Sequence, residues 1–324
     1  MMLQRITGPL PAWARRDHPV LRYEIGRHPP AKRAIKFLRA FINIVGIGLL
    51  LLIGTLVATN LGTQPAGGHP TDILNNVLYI PLLAIQAILS IAALAQTAGA
   101  VGDEMRRQNW DNLRATPTGA ELAFRARWAA AFYRLRTGIG LLLIVRVILV
   151  GGILYDLTAF QGRYLDLLIN GIVPELSLVV AVMLMAFTLT AAILLPLTAI
   201  GFDAAFGLLI AAIFPGRTTN TLAQALYILV RLAVIVSLGV LARAYMVGDL
   251  PSVSDAGAWG GLAANGAVGD WALSFLSLER YGEIWATVPF GIFLGVVVMG
   301  FALIQAALAD GILALAVRRA QRRG

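Results

Sequence analysis

The sequence predicts an all-α polytopic membrane protein of about six transmembrane helices, with both termini in the cytoplasm. Three observations predict it. Of 324 residues, 58% are hydrophobic and only 13% charged, where a soluble domain carries about 25% charge. Apolar runs recur along the chain, several long enough to supply the roughly 20 residues that a bilayer core needs. Lys and Arg gather in alternate connections, as loops on the cytoplasmic face do.

The N-terminal segment, residues 1–40, is basic, with Arg5, Arg15, Arg16, Arg22, Arg27, Lys32, Arg33, Lys36 and Arg39 against Asp17 and Glu24. It lacks the short apolar core and small-residue cleavage site of a cleavable signal peptide. Pro29-Pro30 breaks any helix there, so the expectation is a short interfacial helix near residues 18–27, its basic side chains meeting anionic lipid.

The membrane domain is read as residues 41–316. The first span covers about 41–59, with Gly46, Gly48 and Gly54 permitting close helix approach. The second covers about 73–101, with Asp72 as N-cap. A loop follows, within a wider cytoplasmic segment 102–137. Thr118 and Glu121 have the spacing of a capping box, and the helix they start is expected to run to about Asp156, with about 138–157 in lipid. The apolar run 175–214 reads as one long helix bent at Pro196, where proline removes a backbone hydrogen bond. The fifth span covers about 219–247. The outer loop 248–283, with Trp259, Trp271 and mostly acidic charge, is expected to fold back onto headgroups. The sixth span covers about 284–316 and leads into the basic tail 317–324.

Orientation follows from the basic residues. Nine lie in the N-terminal segment, seven between Arg106 and Arg136, one at Arg217 and four in the tail, against Arg163 and Arg280 on the other face. Hence the net charge of +9 is a topology signal, and nucleic acid is not an expected partner. The chain has no cysteine, which removes disulfides, thiolate nucleophiles and cysteine metal sites. His18, His28 and His69 follow no metal spacing. The sequence has no phosphate-binding loop, HExxH or GxSxG pattern, so neither catalysis nor a resident cofactor or metal is expected in this chain.

Four ionisable residues fall in or near the spans: Arg146, Asp203, Arg231 and Asp310. Such charges are functional candidates by default. Asp203 is the best placed, either in a pathway or in an internal salt bridge with Arg231, the bridge being the plainer reading. Arg146 and Asp310 are read as snorkelling to the cytoplasmic interface. Gly291 and Gly295 fit a GxxxG packing pattern.

The most distinctive stretch is the loop at residues 103–117. A short amphipathic helix there would bring Arg106, Trp110 and Leu113 close to one face. An aromatic and an arginine at a loop tip are the residue types of interface hot spots. On periodicity alone, a solvated loop with Trp110 in the headgroups fits equally.

The run Glu104-Met-Arg-Arg-Gln-Asn-Trp110-Asp111-Asn-Leu113-Arg-Ala-Thr116-Pro117 resembles the loop after the second span of type-2 ABC transporter permeases, the exporter-like membrane subunits. Glu104, Arg106 or Arg107, Trp110, Asp111, Leu113, Thr116 and Pro117 fit that pattern, while Gln108-Asn109 replaces the usual Gly-Thr and Arg114 an apolar residue. His18-Pro-Val-Leu-Arg-Tyr-Glu24 is similar to the start of many members, and the stretch from Ala205 through Arg217 to Thr219 to the end of their fourth span.

The resemblance implies a permease that pairs with a second copy or a paralogue. It also implies a separate cytoplasmic ABC ATPase, which holds the Mg-ATP, docked on the loop through Glu104, Arg106, Arg107, Trp110, Asp111 and Leu113. Membrane lipid surrounds such a subunit, and a bacterial inner membrane is the expected location. The alternative is a non-transporting accessory subunit of a larger membrane complex that keeps the permease fold. An ion-coupled carrier using Asp203 is a third reading.

Overall fold

The structure, a computed structural model, describes residues 11–26, 70–106, 112, 115, 116, 119–158, 178–247, 255–268 and 290–322. The first span read at 41–59 lies outside them. The described residues are helical, without a strand. A 3-10 turn, Ala12–Ala14, precedes α1, Pro19–Gly26. Then come α2, Pro70–Ala98, and the short α3, Ala100–Arg106. The long helices α4, Gly119–Thr158, α5, Leu178–Ile213, and α6, Arg217–Val247, follow. α7, Asp255–Val268, and α8, Phe290–Arg322, complete the described chain.

Among the described residues, four helices are long and apolar enough to cross a membrane: Pro81–Gly102, Ala186–Ile213, Arg217–Leu241 and Gly295–Arg322. α4 is not among them. Its described part carries Arg125, Arg127, Arg134, Arg136 and Arg146.

α5 is the central helix. It packs along α8 and α2, and α4 closes the group. Composition explains the choice: α5 carries a single ionisable residue, Asp203, so almost any face of it can be buried. Of its membrane-length window 61% is buried, against none for Arg217–Leu241 in α6. One cluster joins Leu82, Leu142, Leu195, Ile200 and Val298. A second, towards the α5–α6 turn, joins Val101, Phe124, Leu208, Leu313 and Val317. Burying a leucine of this kind contributes about 1.5–3 kcal/mol in water; in a bilayer, tight packing carries more of the association.

α2 and α5 meet at Gly207. A Cβ there would stand 2.6 Å from the Leu94 carbonyl oxygen and collide with Thr97 as well. Only glycine admits this approach, which small residues provide in membrane helices. Thr198 of α5 donates to Gln305 of α8 at 2.7 Å, and Trp128 Nε1 of α4 donates to the Gly201 carbonyl at 2.9 Å.

Several expected boundaries shift. The helix of the second span stops at Ala98 and α3 continues separately, with the membrane-length window Pro81–Gly102 running across the break. The break is held by Asn220, whose Nδ2 donates to the Ala98 carbonyl at 2.7 Å and to the Phe214 carbonyl at 3.0 Å. Within the run 175–214, Leu178–Ile213 is one helix with Pro196 inside it. The segment 248–283 contains α7, which packs on α6 and α8. The last helix continues through Arg318, Arg319 and Arg322, so the basic tail is mostly helix; cations are favourable at a helix C-terminus.

Candidate functional site

The first polar centre forms where α2, α5 and α6 meet. Asp203 of α5 is 1% exposed. Tyr227 Oη donates to Asp203 Oδ1 at 2.6 Å, and Arg231 Nη1 donates to the same oxygen. The spacing explains the pairing: Tyr227 and Arg231 are four apart, so one face of α6 presents both. Phe206, four residues before Ile210 on α5, stacks on Tyr227 at 4.3 Å between ring centroids and fixes the phenol. The other carboxylate oxygen, Oδ2, is buried with no hydrogen-bond partner among the described residues.

This centre lines a cavity of about 420 Å³ between α2 and α6. Its walls are mainly aliphatic, including Leu83, Ile91, Leu94, Ile228 and Ile235, with Gln86 and Ser90 as further polar groups. Ser90 Oγ is buried and likewise without a partner among the described residues. At 1.5 Å per residue, Asp203, Tyr227 and Arg231 stand roughly 16–23 Å along their helices from the α5–α6 turn. A hydrocarbon core is about 30 Å thick, so the centre would fall near its middle.

Arg146 forms a second buried point. Its sequence context suits snorkelling to an interface; in the fold its side chain is fully buried. Nη2 donates to Gln86 Oε1 at 2.5 Å, and Nη1 donates to the Ala192 carbonyl. The reason is Pro196. Four residues after Ala192 in the same helix, it has no N–H to give that carbonyl. Arg146 supplies the missing donor. Asp310, by contrast, is exposed.

A third arrangement sits at the other end of α4. Arg127 Nε donates to Glu24 Oε2 at 3.2 Å, and its Nη2 to Glu24 Oε1 at 3.3 Å and to Glu104 Oε1 at 2.8 Å. All three residues are buried. Arg134 Nη2 donates to the Glu24 carbonyl at 2.5 Å. Leu21 packs with Ala126, Ala129 and Ala130, and Arg125 lies over the Trp13 ring. So α1, which the sequence places along the headgroups, is fastened to α4. A groove of about 370 Å³ beside the clamp is lined by α1, α3, α4 and by Asn112 and Thr116.

Of the residues assigned to partner docking, Glu104 is buried in this clamp and Arg106 ends α3. Arg107, Trp110, Asp111 and Leu113 lie outside the described residues. Thr118 of the expected capping box does too; Glu121 pairs with Arg125 at 3.0 Å, and Gly119 N donates to the Thr116 carbonyl at 3.0 Å. The expected pair Asp203 and Arg231 are brought together. Sequence reasoning missed Tyr227, whose i,i+4 spacing to Arg231 was readable, and Arg127, which was counted only as topology charge.

Fold and site together define an all-helical protein with, among the described residues, four helices of membrane-crossing length and composition. The chain matches no protein-family model, no curated protein and no solved structure.

Proposed function

We propose that this chain is the membrane-spanning permease subunit of an ABC transporter, with six spans and cytoplasmic termini. ATP is hydrolysed by a separate ATPase that docks on the loop 103–117. The observation that carries the reading is the Arg127 clamp. It ties the start of that loop, through Glu104, to α4 and, through Glu24, to α1. A force applied to the loop therefore reaches two other helices through charge-assisted hydrogen bonds, which are stronger than neutral ones. A freely solvated loop needs no such anchor. Because Glu104 is engaged inside the protein, Trp110 and Asp111 become the proposed docking contacts, and Glu104 positions them.

The experiment is purification of the tagged chain in mild detergent, with partners identified by mass spectrometry. A Walker-motif ATPase in near-equal amount supports the proposal, and Trp110→Ala with Asp111→Ala should abolish it while leaving insertion intact. A large membrane complex without an ATPase would overturn transport and favour the accessory-subunit reading.

A further inference from the structure

We infer that the cavity between α2 and α6 is a binding site, entered from the lipid, for a neutral single-chain amphiphile with a hydroxyl head. Four observations converge on it. The walls are aliphatic: Leu83, Leu94 and Ile228 would line an acyl chain. At about 420 Å³ the space falls in the range of about 300–1,000 Å³ typical of small-molecule sites. Its rim faces outward, since Ile91 and Leu232 are 45% and 56% exposed, so a lipid-borne molecule reaches it without crossing the bundle.

The polar end sets the head chemistry. Tyr227 and Arg231 both act on Oδ1 of Asp203, and Oδ2 is a buried acceptor with no donor among the described residues. A buried unsatisfied group of this kind is destabilising, the more so when charged, which a ligand hydroxyl would relieve. Ser90 Oγ adds a group that both donates and accepts. A guanidinium also carries more N–H donors than the single contact to Asp203 uses, and the Arg231 side chain is 26% exposed at the cavity. The charges of Asp203 and Arg231 cancel. A charged head would therefore leave a net charge in low dielectric, where it is costly; a hydroxyl, donor and acceptor at once, adds none. The inference does not depend on how the chain is energised.

The test uses the full chain in phosphatidylcholine nanodiscs and a clickable monoacylglycerol with a diazirine in its acyl chain. Adducts are expected on peptides covering residues 83–94 and 227–235, competed by unlabelled monoacylglycerol. Matched fatty-acid and alkyl-trimethylammonium probes should label about tenfold less, the ratio of one lost hydrogen bond. Ala87→Trp, at an exposed wall position, should lower labelling by a similar factor, and Ile228→Trp should do the same from the opposite wall. Equal labelling by the charged probes would overturn the head assignment. Adducts spread along Leu222, Leu226 and Leu229, unaffected by either tryptophan, would mean bulk lipid only and overturn the site. Because the chain lacks cysteine, Ala87→Cys can also be paired with single cysteines at 41–59; a disulfide there would show the chain's own segment in the cavity and overturn the proposal.

Discussion

Pro196 and Arg146 are partners although they never bond. Proline at 196 deprives the Ala192 carbonyl of its helical donor, and Arg146 of α4 donates to that carbonyl while holding Gln86 of α2. One irregularity in α5 thus becomes a three-helix junction. Arg146→Met should leave the Ala192 carbonyl and Gln86 unsatisfied and cost about 2–4 kcal/mol. Pro196→Ala restores the N–H, so the double variant should recover part of that loss. A thermal-melt double-mutant cycle in detergent checks it; strictly additive losses would count against the junction.

The Arg127 clamp makes a local prediction. Arg127→Met leaves Glu24 and Glu104 buried without their shared cation, at a cost of about 3–5 kcal/mol. α1 should detach first, so trypsin should cut at Arg22 sooner than in the parent chain. Adding Glu24→Gln and Glu104→Gln should return much of the stability. Arg127→Lys should fall between, since an ammonium cannot make the fork.

At Asp203 the single and double changes should differ in kind. Asp203→Leu strands Arg231 and should destabilise by about 3–5 kcal/mol, while Asp203→Leu with Arg231→Leu should be close to neutral. Tyr227→Phe removes one hydrogen bond to a charged acceptor, about 1.5–3 kcal/mol. Equal melting of the single and the double charge variants would show that the pair is not coupled.

Gly207→Leu should prevent α2 from seating on α5, because a Cβ meets the Leu94 carbonyl at 2.6 Å. Overpacking of this sort costs about 1–3 kcal/mol or more. Gly300, whose Cβ would meet nothing within 4 Å, is the control, and Gly300→Leu should melt close to the parent.

The proposed orientation has its own check. In inside-out vesicles, protease should cut near Arg114 and spare Gly261. The reverse would invert the topology and move the clamp to the outer face.

The sequence by itself determined the helical class and the approximate limits of the long helices. Both are properties of local composition: an apolar run of this length in lipid satisfies its own backbone groups as a helix, and Pro215-Gly216 ends one wherever it packs. It also put Asp203 and Arg231 forward as a pair, because charges among so many apolar residues must find each other. Tertiary structure decided what local rules cannot reach. Glu24 and Arg127 are 103 positions apart, and no periodicity in either segment shows that one fills the other's fork. Arg146 looked like an interfacial arginine until its distance from the orphaned carbonyl beside Pro196 was known. The open oxygen of Asp203 appears only once two donors from α6 have been seen to take the other. Membrane helices are specified by their own sequence, but their polar side chains acquire roles only from the helix that packs against them.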